Sequence, residues 1–349
     1  MRRLTTIRLA LGVGLALTIA AAPAAAGKLD LSLARFVICH SPEHCEPQIA
    51  MYERFMAEYA FALSPKTMGP AGTLGYSGFY LGLEGTLTPL PDDEAGGRWY
   101  RGTVPIDEAP GVMFVPAVRV RKGLPWSMEL GGTINYLAQS ELVTLGGEVK
   151  WSIFEGYRKG FRGVLPDVAA RGSVVRVLGQ GEIDMTIIGV DGAISYPFGI
   201  GGMISLTPFA GFQYLWTILR VEPLIYRDEV GHDDCGPGAT GETCWATPVD
   251  PDGSQKGEYH TNLGGYYDMG GLSGPNLERM RLFLGLQFKY EKLSIMFEAA
   301  WGLAREWDTA VDTREELYPA DQGVVVDNDQ LRTEVGHQFQ FTGGVGFEF

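Results

Sequence analysis

The chain has 349 residues, 45% of them hydrophobic, with 48 glycines and a mean hydropathy of zero. Its 42 acidic residues against 28 basic ones, with no basic patch among interleaved aromatics, argue against nucleic-acid binding. Such a composition fits a soluble β-rich domain or a membrane barrel and does not separate the two.

Residues 1–26 read as a cleavable export signal. Arg2, Arg3 and Arg8 make a basic front, Leu9 to Ala21 an apolar core, and Ala24-Ala25-Ala26 before Gly27 a small-x-small cleavage form. The apolar run is shorter than the roughly 20 residues that a spanning helix needs, and no later run reaches that length. Passage through a membrane would therefore be by strands. Removing the signal leaves 28 − 3 = 25 basic residues against 42 acidic ones, a balance of −17.

Residues 27–73 form an N-terminal segment with an expected helix over 46–63. Ile49, Tyr52, Phe55, Met56, Tyr59 and Leu63 fall at i, i+3, i+4 spacing. The segment is either a plug in a barrel or a periplasmic element beneath one. An exported chain meets an oxidising compartment, so the close pairs Cys39 with Cys45 and Cys235 with Cys244 read as two local disulfides. His40-Ser41-Pro42-Glu43-His44 matches the H-x-x-E-H form of a zinc helix, but Pro42 opposes a helix and cysteines close both ends. A tight cystine loop is the expectation, with no bound metal.

From Leu74 onward, segments of about ten residues alternate apolar with polar or small residues between turn signals, the pattern of a transmembrane β-barrel. Ten strands are predicted, near 74–88, 112–121, 126–137, 142–154, 167–177, 182–195, 202–220, 279–290, 292–303 and 335–349. Twelve result if 221–278 hides a hairpin. The alternation of the sixth changes phase around Gly189, which predicts a bulge. The short connections 122–125, 155–166, 196–201 and the turn at Glu291 fall on one side. The connections 89–111, 138–141, 178–181, 221–278 and 304–334 fall on the other, and three of these are long, as in barrels with short periplasmic turns and longer external loops.

Alternation assigns Glu84, Arg119, Arg121, Glu129, Glu148, Lys150, Arg171, Asp184, Asp191, Arg279, Arg281, Lys289 and Glu298 to the lumen. The two signs are nearly balanced, so the interior is either a salt-bridged core or a narrow hydrated pore. Trp126, Trp151 and Tyr290 lie on apolar faces near one end, and Tyr136, Tyr214, Trp216 and Trp301 near the other, where a bilayer would place aromatic girdles.

The chain ends "HQFQFTGGVGFEF", in which Phe339, Phe341, Val345, Phe347 and Phe349 share one face and Gln338, Gln340, Thr342, Gly344, Gly346 and Glu348 the other. This resembles the closing strand of Gram-negative outer-membrane β-barrels. The resemblance implies an outer-membrane location and recognition of those alternate residues by the barrel assembly machinery. It also implies contact with outer-membrane lipid and lipopolysaccharide. The helix of 46–63 followed by "MGPAGTLGYSGF" at 68–79 is similar to the N-terminal hatch of the long-chain fatty-acid transporter family. That family has more strands, and its usual Asn before Pro-Ala is Gly69 here.

The acidic excess lies in 89–111, 221–278 and 304–334. Such loops could attract cations, bridge through calcium or magnesium to an anionic surface, or simply stay solvated. Asp250-Pro-Asp252-Gly253 lacks the spacing of an EF-hand and reads as a turn. No cofactor is expected. No G-x-S-x-G elbow is present, since Phe79 ends "GYSGF" at 75–79. Omptin proteases also use ten strands with Asp and His at the outer rim, and His232, Asp233 and Asp234 are the residues that could be compared with them. Two expectations lead: a narrow or gated barrel for small or hydrophobic solutes, and a structural or surface-interaction barrel with a filled lumen. An enzyme is third.

Overall fold

The computed structural model describes residues 29–31, 36–41, 44–47, 49–90, 98–103, 111–140, 142–155, 165–179, 183–200, 203–221, 224–227, 247–248, 265–267, 277–308 and 332–349. The expected signal, His232, Asp233, Asp234, Cys235, Cys244, Asp250, Asp252 and Gly253 lie outside the described residues.

Strands β1 (Val37–Ser41) and β2 (His44–Pro47) pair as a small antiparallel ladder, so the fragment from His40 to His44 is not a metal-binding helix. Cys39 is the backbone partner of Cys45. The side chains of these two lie outside the described residues, among which no disulfide is found. Helix α1 (Ile49–Leu63) begins three residues later than its apolar spacing predicts, because residues 46 and 47 belong to β2.

The barrel wall takes ten strands: β3 (Phe79–Pro89), β4 (Val112–Leu124), β5 (Met128–Tyr136), β6 (Val143–Phe154), β7 (Asp167–Leu178), β8 (Ile183–Ser195), β10 (Ile204–Val221), β14 (Glu278–Tyr290), β15 (Leu293–Gly302) and β18 (Gln338–Glu348). Each pairs antiparallel with its neighbour, β18 with β3 and β14 with β10, which closes the sheet. The closed ten-strand barrel is the architecture that the alternation predicts. Between the wall strands lie a short helix α2 (Arg98–Gly102), β9 (Phe198–Ile200) laid along β10, and the hairpin β16 (Arg305–Asp308) with β17 (Arg332–Val335). Strands β11 (Leu224–Arg227), β12 (Thr247–Pro248) and β13 (Gly265–Tyr267) form a separate small sheet, so the described residues between β10 and β14 add no strand to the wall.

One end of the barrel carries short turns and the other long loops. At the turn end the first and last wall residues close the seam, with Phe79 N–H donating to Phe349 O at 3.1 Å and Phe349 N–H to Phe79 O at 2.8 Å. The inner face of that seam needs glycine. A Cβ on Gly346 or Gly82 would run into the Tyr80 side chain, which is fully buried in the lumen.

Period-two alternation is continuous around the wall. Leu83, Ile134, Val149, Leu284, Phe297 and Phe341 are exposed on the outer surface, while Glu84, Arg119, Glu148, Arg171, Arg281 and Glu298 are buried inside. Apolar surface on this scale, running round the whole sheet, far exceeds the few hundred Å² usual on a soluble monomer.

Two expectations fail in β8. Its pairings with β7 and β10 run without a register shift, so there is no bulge at Gly189. Alternation counted through Asp191 therefore turns Asp184 outward, where it pairs with Arg176 at 2.7 Å. The apparent phase change has a physical cause. Ile183, Met185 and Ile187 face the lumen because they pack on an apolar element inside it.

Candidate functional site

That element is the N-terminal segment. Tyr52, Phe55, Met56, Tyr59, Phe61 and Ala62 of α1 are all within 1% of full burial. The helix is apolar nearly all round, as expected of one enclosed by protein rather than lying against a surface. It fills the loop-end half of the lumen, in a cluster with Met113, Val115, Leu137, Val177, Leu215 and Val335. Two buried acids tie it to the loops. Glu58 accepts from Arg98 Nε at 2.9 Å and Trp99 Nε1 at 2.7 Å, and Glu53 from Trp307 Nε1 at 3.0 Å and Thr333 Oγ1 at 2.7 Å.

Residues 64–74 then descend to the turn end, and here the contacts change character. Wall side chains grip backbone carbonyls: Gln340 Nε2 to Ala62 O at 3.1 Å, Arg119 to Lys66 O at 3.2 Å, and Lys150 Nζ to Gly72 O at 2.9 Å. Arg281 donates to Pro65 O and, at 3.0 Å, to Ser64 Oγ. Ala71 N–H donates to Ser195 Oγ at 3.0 Å, and Leu74 N–H to Glu129 Oε2 at 3.1 Å. An irregular strand of backbone inside a barrel must have its polar groups satisfied by such partners.

Around this strand the wall charges form a chain. Glu84 pairs with Arg119 at 2.7 Å, Arg119 with Glu148 at 2.9 Å, Glu148 with Arg171 at 3.5 Å, and Arg171 with Asp191 at 3.3 Å. Glu129 bridges Lys150 at 3.2 Å and Arg121 at 3.4 Å, and the Arg121 guanidinium also lies 4.2 Å from the centre of the Tyr80 ring. Every member is at most 8% exposed, so the lumen in this arrangement is filled. Arg279 binds Gln338 and Gly336 O, and Glu298 is buried beside the Arg281 region. Lys289 sits at the turn-end rim, half exposed, bonded to Glu348. Of the residues assigned to the lumen from sequence, Asp184 alone points outward. Most of the missed interior residues are neutral, with Ser195, Gln213, Gln287, Gln338 and Gln340 on the inward parity, and one is charged, Asp167 at the start of β7.

Lys66, on the plug and buried, donates to Ala62 O at 2.7 Å. Burial, and then Arg281, hold its ammonium well below the usual lysine range, against an opposing pull from Glu298. The folded protein thus binds this proton less readily than the unfolded chain, so stability rises with pH until the usual lysine value is reached. The melting temperature should therefore rise with pH on the approach to the usual lysine range. Lys66→Met should flatten that rise, whereas an equal rise in the variant would assign it to another group.

On the outer surface, Trp151, Trp216, Trp301, Tyr136, Tyr290 and the turn residue Trp126 are exposed, and Tyr214 is half-buried with its hydroxyl 2.5 Å from Glu278. Phe339, Phe341, Val345, Phe347 and Phe349 are exposed along β18. His337 accepts from Trp301 Nε1 at 3.1 Å and Ala304 N–H at 3.2 Å, a structural contact at the loop end.

Fold and interior together define a plugged antiparallel β-barrel. No protein-family model and no curated protein matches the chain. Among solved structures it is similar to the transport unit of the autotransporter AIDA-I from Escherichia coli, at 9% identity over 87% of this chain and 99% of that one, TM-score 0.25. It is also similar to a Pseudomonas aeruginosa FadL homologue, at 8% identity over 93% and 99%, TM-score 0.21. A third is the outer-membrane expressed OmpT of Vibrio cholerae, at 12% identity over 80% and 100%, TM-score 0.14. These likenesses are too distant to assign a function.

Proposed function

We propose that this chain is an outer-membrane β-barrel that admits a small or hydrophobic solute through its lumen when the inner segment shifts. The observation that carries the reading is the attachment of residues 64–74. They are held mainly by side-chain bonds to backbone carbonyls from Arg119, Lys150 and Arg281, and only Met68, Ala71 and Leu74 join small apolar clusters. Each such bond contributes only about 1–3 kcal/mol net and can be exchanged for one to water or solute. The half of the plug made by α1 is different, being anchored by aromatic packing.

The apolar belt of the outer surface and the exposed aromatics support a lipid environment. The signal-like residues 1–26 and the Phe-rich closing strand support export and assembly in an outer membrane. The acidic loops would then face outward and favour cations over anions near the mouth. A permanently filled structural barrel is the second reading, favoured by the burial of the whole ion-pair chain.

Planar-bilayer recordings separate the two. A gated barrel should show brief, small steps in the full chain and large, steady conductance once residues 27–73 are deleted. If the deleted form folds, judged by heat-modifiable mobility, and conducts no more than the full chain, the transport reading fails.

A further inference from the structure

An ion-pair cluster on the lipid-facing side of the wall plays no part in holding the plug. Arg176 on β7 donates to Asp184 Oδ2 at 2.7 Å and to Thr186 Oγ1 at 3.1 Å on β8. Both charged side chains remain largely open, at 52% and 41% exposure. Asp184 is in register with Arg220 of β10, which is exposed and has no hydrogen bond or ion pair among the described residues. Among the described residues, two guanidinium groups therefore flank one carboxylate that is already committed to the first of them, leaving a net positive spot. The neighbouring outward pair, Glu278 with Arg305 at 3.2 Å, is neutral by contrast.

Depth decides what such a spot can meet. An arginine on the lipid face of a barrel costs about 2–4 kcal/mol at the bilayer midplane and almost nothing at the interface. Arg220 lies four residues loop-ward of Trp216, roughly 13 Å along the strand at 3.3 Å per residue. Trp216 packs against Tyr214 at 4.6 Å, the aromatic pair that marks the headgroup boundary on this side. The arginines therefore stand just beyond the boundary, where lipid phosphates lie, above the exposed apolar Val174 and Ile218.

We propose that Arg176 and Arg220 form a docking point for the phosphate of an anionic lipid headgroup, which competes with Asp184 for Arg176. The inference rests on the membrane reading but not on solute passage. It contrasts with divalent-ion bridging by the acidic loops, since guanidinium groups bind phosphate oxygens directly and bidentately.

The test titrates the purified full chain with diphosphoryl lipid A and with the same lipid stripped of its phosphates, counting bound lipid by native mass spectrometry. The native chain should prefer the phosphorylated lipid. R176Q/R220Q should weaken that binding about tenfold or more, given the strength of charged hydrogen bonds. D184N, which releases Arg176, should keep or tighten it, and heat-modifiable mobility reports folding in each case. Equal binding by the double variant would overturn the proposal, as would equal binding of the stripped lipid or loss of all binding on chelating divalent ions. A chain that stays out of liposomes would overturn both this inference and the membrane reading. One that inserts yet ignores the phosphates would overturn this inference alone.

Discussion

An Arg119→Met barrel is expected to unfold about 3–5 kcal/mol more readily than the native one, the range for removing one partner of a buried charge pair. Arg119 is 2% exposed and stands between two carboxylates, Glu84 at 2.7 Å and Glu148 at 2.9 Å, while a third bond reaches Lys66 O on the plug. Met fills much of the same volume but removes this cation from both acids. Glu148 retains Arg171 at 3.5 Å, so the larger share of the loss falls on Glu84. Neutralising both acids in the Arg119→Met background, with Glu84→Gln and Glu148→Gln, should restore most of the stability. Urea unfolding from liposomes measures both. If the single variant loses under about 1 kcal/mol, as exposed pairs do, the chain of ion pairs is solvated and the filled-lumen description is wrong.

Phe55→Ala should act on the plug and leave the wall intact. Phe55 is fully buried and meets Trp99 edge-on at 4.9 Å, Phe36 at 5.5 Å and Tyr59 at 5.6 Å. Truncating a buried Phe costs about 3–5 kcal/mol, most of it from the cavity that remains. Here the loss is confined to the α1 cluster, because the wall is held by its own antiparallel ladders and by the seam between β3 and β18. The variant should keep the heat-modifiable mobility of a folded barrel while α1 becomes open to protease, and the conductance of the full chain should approach that of the form lacking residues 27–73. A variant that resists cleavage as the native chain does would mean that Glu53 and Glu58 hold the helix without the aromatic cluster.

The wall strands were legible because alternation is a local property. Each strand needs only its own residues to show which parity is apolar, and the turn signals show where it stops. The same logic failed at Asp184, where the inward residues Ile183, Met185 and Ile187 are apolar only because α1 lies against them. A lumen lined entirely by polar groups would have kept the phase visible. The plug itself was legible as a helix but not as an interior one. The signal that distinguishes the two was present: Ala57, Ala60, Phe61 and Ala62 make the opposite face apolar too, which a helix packed beneath a barrel would not tolerate in water.

The sequence by itself determined a barrel of ten or twelve strands, the face that each wall residue takes where alternation is unbroken, the two unequal ends of the barrel and the terminal aromatic strand. Only the tertiary structure decided which partner each interior charge takes and what fills the lumen. Glu53 meets Thr333 and Ala71 meets Ser195 across 280 and 124 residues of chain. Such pairs are set by strand register and by closure of the ring, and neither has any signature within a single strand.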